Sequence, residues 1–331
     1  MSVEAVRETV RAGGLLAQGR PVVAMISGGQ DSTCLLDLAT SICGPGLVSA
    51  IHVNYGLREQ AGADQRHCEE LCALLGVPLD VTAVTRPSPA GGSAESPGNL
   101  QAWAREVRYE AAERAASRTD ALIATGHTAS DQAETILYRL AASPGRRALL
   151  GMAPAEGRLI RPLLGLTREA TAAYCRARGL SWREDESNDD PRYARARVRH
   201  GLVGALRAVH PAAEANVLRT ASLLREETEL LDALVAEELG GRPGIEIARL
   251  ERLPAALARL VVVRLAEQAA GTYVPQAGDR VAEILALGRR GGRAELHVGG
   301  LAGAVIEDGV LSMVKLPPRS SARPGRPPSG D

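Results

Sequence analysis

The stretch PVVAMISGGQDSTCLLDL at residues 21–38 already dictates a fold. Its apolar run, 22–26, reads as a buried strand of a parallel sheet. Ser27-Gly28-Gly29-Gln30-Asp31-Ser32 then turns sharply, and residues 33–38 open a helix with Leu35, Leu36 and Leu38 free to pack. A strand, a glycine turn and a helix N-terminus together form an anion site. The glycines let backbone N–H groups approach an oxyanion, and the first helical turn adds unpaired donors and the positive end of its dipole. Ser27 and Ser32 add hydroxyls, and the expected ligand is a phosphate chain. The bland alternative is a glycine turn capped by Asp31. The Lys-Ser/Thr ending of a Walker A loop is missing, since the single lysine is Lys315. The dinucleotide pattern G-x-G-x-x-G does not fit either.

Further strands are expected at 48–53, 79–84 and 121–125. Helices are expected at 65–75, 100–117 and 132–141, with a flexible Pro/Gly/Ser loop at 86–98. This alternation argues a doubly wound parallel sheet, whose ligands bind beyond the C-terminal strand ends. The loops at Ser27, Asn54 and His127 would share that rim. A helix begins at Thr167-Arg168-Glu169, and the run 192–225 is locally basic. A long amphipathic helix is expected over 214–238, and Gly240-Gly241-Arg242-Pro243-Gly244 reads as a boundary. Beyond it, helices at 253–269 and 278–287 precede a three-stranded meander with a tight turn at Asp308-Gly309. The expected division is a nucleotide-binding catalytic domain at 1–200, a helical linker at 201–240, a small α+β domain at 241–316 and a disordered tail at 317–331.

Composition sets the remaining bounds. Phe is absent and aromatics reach only 2%, so the core must be built from Leu, Val, Ile and Ala. Arginine supplies all but one of the 39 basic side chains, which gives planar, permanently charged phosphate binders. No run approaches a membrane span, and the acidic N-terminal residues do not suit a signal peptide. A cytoplasmic protein without a membrane partner is expected. The five cysteines form no C-x-x-C pair and read as buried thiols, although Cys68 and Cys72 lie four apart on one helix face.

A second constellation is GHTASDQAET at 126–135, where His127, Asp131 and Glu134 are spaced four and three apart. On a helix beginning near Ser130, Asp131 and Glu134 share a face. Two carboxylates at a strand end suit an ammonium group or Mg²⁺. They equally suit the plain role of acids at a helix N-terminus.

SGGQDS resembles the SGGxDS signature of the PP-loop ATP pyrophosphatases. The chain as a whole resembles the bacterial tRNA(Ile)-lysidine synthetases of that superfamily. HVNYGLR, AREVRY, GHTASDQAET, RPLLGLTREATAAYC and Tyr193-Ala194-Arg195-Ala196-Arg197-Val198-Arg199 follow that family's motifs in order. The likeness spans about residues 20–235. The chain departs from the pattern at Asn54, Tyr55, Ser130 and Ala196.

The resemblance implies a PP-loop fold (adenine nucleotide alpha hydrolase-like) and the ligation of lysine to C2 of the wobble cytidine in a CAU-anticodon isoleucine tRNA. The reaction passes through an adenylated cytidine. ATP with Mg²⁺ is the cofactor, and free L-lysine and tRNA(Ile) are the partners. Ser27, Gly28, Gly29, Gln30, Asp31 and Ser32 would hold ATP, with Asp31 also on the metal. Asp131 and Glu134 would bind lysine, Arg105 or Arg108 would neutralise phosphate charge, and His127 would serve as base. Arg195, Arg197 and Arg199 would meet tRNA phosphates or the ATP site, or else form a solvated helix face. Tyr55 would stack on the target base or simply pack. The oligomeric state is open, a homodimer included. The rivals are another PP-loop enzyme such as a tRNA thiolase, and a non-catalytic tRNA-binding relative.

Overall fold

The computed structural model describes residues 1–44, 46–56, 60–84, 97–143, 145–184 and 192–317. Most of the expected loop at 86–98, the stretch 185–190 and the tail beyond 317 lie outside the described residues. The chain forms two compact units, Met1–Leu224 and Arg225–Asp331.

The first unit contains β1 (Val22–Met25), β2 (Val48–Asn54), β3 (Leu79–Ala83), β4 (Leu122–Ala124), β5 (Ala155–Glu156) and β6 (Leu159–Ile160). They form one sheet in the order β3-β2-β1-β4-β6-β5, parallel except for the short β5–β6 pair. Period-two alternation makes the sheet two-sided. In β1, Val22 and Ala24 enter one core, with Leu35, Leu36 and Leu38 of α2 (Gln30–Cys43), while Val23 and Met25 enter the other. That second core is filled by small residues, Ala111, Ala112 and Ala116 of α4 (Pro97–Ser117), which suits a chain without Phe.

The remaining helices of this unit begin with α1 (Val3–Ala12), capped by Ser2, and α3 (Ala61–Leu75). After them come α5 (Ala129–Ala142), α6 (Arg146–Leu149) and α7 (Arg168–Ala177). Then α8 (Ala194–Arg197) runs into a π-helical turn, Val198–Val203, and on into α9 (Gly204–Val209). Buried Asp37 ties α7 to α2 by accepting from Tyr174 Oη at 2.6 Å and from Arg178 Nε at 3.0 Å. The next helix, α10 (Ala213–Leu239), runs across the division between the units.

The second unit adds β7 (Gly244–Glu246), α11 (Ile247–Arg252), α12 (Ala255–Ala270), a 3₁₀ turn (Pro275–Arg280) and α13 (Val281–Arg290). The meander follows as β8 (Ala294–Gly299), β9 (Ala302–Glu307) and β10 (Val310–Lys315). The four strands form an antiparallel sheet in the order β7-β10-β9-β8. Asp308 and Gly309 both have positive φ, 51° and 75°, as a two-residue hairpin requires. Gly244, which reads in the sequence as boundary, begins β7 instead. A Cβ there would collide with Leu311 O across the β7–β10 pair, so the close approach of the strands needs glycine. This unit has its own core, which includes Val235, Leu239, Ile245, Val261, Ile284 and Leu311. Among the described residues, no helix is long and apolar enough to cross a membrane.

Candidate active site

Because β1, β2, β4 and β6 are parallel, their C-terminal ends share one rim. Residues 26–29 leave β1 there, and Gly29 is the N-cap of α2. Gly28 has φ +80°, and a Cβ on it would lie 3.2 Å from His67 Cδ2 and 3.4 Å from Cys68 Sγ. The turn and its packing against α3 therefore both call for glycine. Ser32 Oγ donates to Gly29 O at 2.9 Å and accepts from Ser27 N at 3.2 Å, which fixes the loop's curvature. Arg183 N donates to Gly28 O at 2.9 Å, and its guanidinium pairs with Asp64 of α3 at 2.5 Å. The segment before residue 185 thereby pins the loop from outside.

From β4 the chain passes through Thr125, Gly126 and His127 into α5. A Cβ on Gly126 would lie 3.0 Å from Asp31 C and O and 3.1 Å from Ser32 N. All three are backbone atoms and cannot swing away. Gly126→Ala is therefore expected to push the two loops apart and cost about 1–3 kcal/mol of stability, as overpacking does. Urea unfolding with an unchanged m-value would check it.

At the start of α5, Thr128 and Asp131 form a reciprocal capping box. Asp131 Oδ2 accepts from Thr128 N at 2.8 Å and Thr128 Oγ1 at 2.9 Å. Its Oδ1 takes Arg168 Nη2 at 2.8 Å and Arg195 Nη2 at 3.0 Å. Glu134, one turn on, takes Arg199 Nε at 2.7 Å and Arg195 Nε at 3.1 Å. Arg168 also lies 3.6 Å from both Glu134 Oε1 and Asp31 Oδ2. Three carboxylates and three guanidiniums thus make one neutral cluster, and Arg168 joins the phosphate loop to α5. Asp31 Oδ1 accepts from Thr171 Oγ1 at 2.5 Å, and Gln30 Nε2 donates to Thr171 Oγ1 at 2.7 Å.

Electrostatics separate the acids. Burial raises the Asp31 pKa, against the opposing pull of its Thr171 bond and Arg168. Burial also works against ionised Asp131, but Arg195, Arg168 and the Thr128 backbone hold its carboxyl below the usual range. Burial, helped by Arg195, Arg161 and Arg105 and opposed by Asp131, lowers His127 from 6.5 to about 4. His127 Nδ1 lies 2.8 Å from Thr125 Oγ1, which leaves Nε2 for chemistry.

The structure gathers the loop residues Ser27–Ser32, His127, Asp131, Glu134, Arg195 and Arg199 on this rim. Arg105 sits in α4, exposed and 4.6 Å from the Tyr109 ring centroid. Its field reaches His127. Arg108 is exposed on the same helix, and exposed Arg197 donates to Arg192 O at 3.0 Å. Tyr55 is half-buried, with its hydroxyl on Ala104 O at 2.7 Å and its ring edge-on to Trp103.

The departures from the motif pattern are all engaged. Asn54 bonds Gln65 and Gly56 N, Ser130 Oγ accepts from Arg168 N, and Ala196 is buried. Sequence reasoning missed Arg168, Thr171 and Arg183. For Arg168 a signal exists: it is the first residue of α7, where a cation opposes the helix dipole and so needs a tertiary partner.

All five cysteines are buried and free. Burial pushes Cys68 up to about 12 and Cys72 to about 11, and the neighbouring Cys175 together with burial raises Cys34. Among the described residues, no group of three or more His, Cys, Asp or Glu is placed to hold a metal ion. A magnesium ion carried on substrate phosphates needs fewer protein ligands, commonly one or two carboxylates. Asp31, beside the loop's donors, fits that part.

Residues 4–206 match the PP-loop domain family ATP_bind_3. The chain is 38% identical over 246 residues to a tRNA(Ile)-lysidine synthase of Pseudomonas fluorescens (strain Pf0-1), covering 69% of this chain and 53% of the relative. It is 39% identical over 255 residues to one of Salinispora arenicola (strain CNS-205), covering 72% and 73%. The chain spans about half the length of the first curated relatives it matches. Among solved structures it resembles a U34-tRNA thiolase from Methanococcus maripaludis with its [4Fe-4S] cluster. The TM-score is 0.55 at 17% identity, over 67% of this chain and 80% of that one. That likeness concerns the fold alone.

Proposed function

The chain belongs to the PP-loop domain family, among its tRNA(Ile)-lysidine synthases, and on that premise we propose that it ligates lysine to the wobble cytidine of a CAU-anticodon isoleucine tRNA in the cytoplasm. One observation carries the reading. A phosphate-binding loop and a buried pair of carboxylates meet on one rim, and Arg168 touches both.

In this reading the loop N–H groups and the α2 N-terminus hold the pyrophosphate of ATP. Asp31 would hold Mg²⁺, which would supply charge neutralisation for the departing pyrophosphate. The C2 oxygen of cytidine attacks the α-phosphate, the bond to pyrophosphate breaks, and Arg105 or Arg108 offsets the developing charge. The lysine amine then attacks C2, AMP leaves with the C2 oxygen, and a proton is lost from nitrogen. Asp131 and Glu134 bind the cationic amino acid, and His127 Nε2 takes the proton. The exposed Arg197, Tyr55, the basic run 192–225 and the second unit grip the tRNA. The thiolase reading fares worse, because the thiols that would carry it are buried and held protonated.

Nucleoside mass analysis of the tRNA after incubation with ATP and lysine tests the proposal. Lysidine supports it, a thiolated base replaces it with the rival enzyme, and unchanged tRNA leaves a binding protein.

A pH prediction follows from His127. Its folded pKa, about 4, lies below the ordinary 6.5, so the unfolded chain binds the proton more readily between those values. Stability resting on neutral His127 is full above 6.5 and falls as pH drops towards 4. His127→Gln is expected to flatten this part of the Tm–pH curve. Turnover should fall about 10²- to 10⁴-fold at neutral pH if the ring is the base. Thermal melts across the range and initial rates check both.

A further inference from the structure

The Arg195 guanidinium spans two buried carboxylates. Its Nη2 donates to Asp131 Oδ1 at 3.0 Å and its Nε to Glu134 Oε2 at 3.1 Å. Both of those oxygens keep another donor if Arg195 leaves, since Asp131 Oδ1 also takes Arg168 Nη2 at 2.8 Å and Glu134 Oε2 takes Arg199 Nη2 at 3.3 Å. Asp131 Oδ2 has both Thr128 donors, and Glu134 Oε1 has Arg199 Nε at 2.7 Å. The three arginine side chains differ in exposure, at 48% for Arg195, 31% for Arg168 and 23% for Arg199.

Charge then decides what can enter. Asp131 and Glu134, the two acids that the cation would meet, already face Arg168, Arg195 and Arg199. The side chains of Asp131 and Glu134 are only 9% and 3% exposed. A further cation would leave excess positive charge in a poorly solvated site, so one guanidinium must leave as it enters. Arg195 is the one already half in water, with a single N–H on each carboxylate. It also sits on α8, a four-residue helix that runs directly into a π-helical turn, a geometry that frequently marks functional sites.

We propose that Arg195 is an internal stand-in for the substrate's ammonium group, and that a cationic amino acid binds by exchanging with it. The inference rests on the reading that Asp131 and Glu134 receive lysine. An ammonium in the guanidinium's place can donate one N–H to Asp131 Oδ1 and another to Glu134 Oε2, which leaves the local charge unchanged. Arg195 thereby sets specificity, because a weakly binding small cation cannot displace it and the seat stays closed to it.

The test is calorimetric binding of L-lysine, with ATP present, to the full chain and to Arg195→Ala. The variant is expected to bind lysine at least ten-fold more tightly. Millimolar guanidinium or methylammonium should compete with lysine in the variant and leave the wild type unaffected. A folded Arg195→Ala with unchanged or weaker lysine binding overturns the exchange and makes Arg195 part of the lysine-binding scaffold. If alanine prevents folding, Arg195→Gln carries the same test with the same outcomes. Glu134→Gln, in wild-type and Arg195→Ala backgrounds, separates this inference from the one beneath it. Lysine binding unaffected by that change in both backgrounds removes the carboxylate seat itself. Binding weakened by Glu134→Gln but not tightened by Arg195→Ala removes only the exchange.

Discussion

Asp31→Ala protein is expected to lose about 10³-fold or more in ATP-dependent tRNA modification while binding tRNA as tightly as the unaltered chain. The carboxylate stands in the first turn of α2, where a phosphate ligand is expected, and an acid there repels phosphate unless a cation joins them. A metal held by Asp31 would supply several kcal/mol of charge stabilisation in the transition state, which sets the size of the loss. Stability should not fall with it. Burial raises the Asp31 pKa, so its folded value lies above the unfolded one, and its contribution is lost as pH rises through the folded value. Above that value the ionised group opposes folding, and there alanine should leave Tm unchanged or higher. Filter binding, thermal melts and single-turnover rates separate the three quantities. A variant with near-normal turnover would detach the loop from ATP chemistry.

The loop was legible in the sequence because all its determinants are local. An apolar run, two glycines and a leucine-bearing helix lie within 18 consecutive residues, 21–38. The spacing of Asp131 and Glu134 was equally local, and the structure puts both at the start of α5. What covers them was not legible. Arg195 and Arg199 reach those acids from 61 to 65 residues along the chain. An arginine run with no visible partner reads alike whether it meets solvent, phosphate or carboxylate.

Short strands were hidden for a related reason. β7 is three residues long and begins with glycine, and its existence depends on pairing with β10 far downstream. Propensity cannot announce a strand whose partner supplies most of its stabilisation. The π-helical turn after α8 was not read from the sequence either; it carries Arg199, which reaches Glu134, and the buried Val203.

The division of labour between the units gives the second large effect. Both cores of the sheet domain draw only on residues up to Trp182, so a chain ending at Leu224 keeps them whole. A cut near Gly240 would instead retain Val235 and Leu239, which are 1% and 4% exposed in the second unit's core, and leave them without that core. The cut at Leu224 is thus the cleaner one. This shortened protein is expected to unfold cooperatively and to bind ATP within a few-fold of the full chain. Its affinity for tRNA should fall by about 10- to 100-fold or more, because a tRNA extends far beyond a mononucleotide site and the removed segment would supply arginine–phosphate pairs. Every such pair that disappears takes roughly 0.7–0.9 off the slope of log affinity against log salt. The salt dependence should therefore become shallower as affinity falls. Full tRNA affinity at physiological salt in the shortened chain would leave recognition to the sheet domain and reduce the second unit to a stabilising or assembly role. A proportional fall in affinity with an unchanged slope would place non-electrostatic recognition, rather than arginine–phosphate pairs, in the second unit.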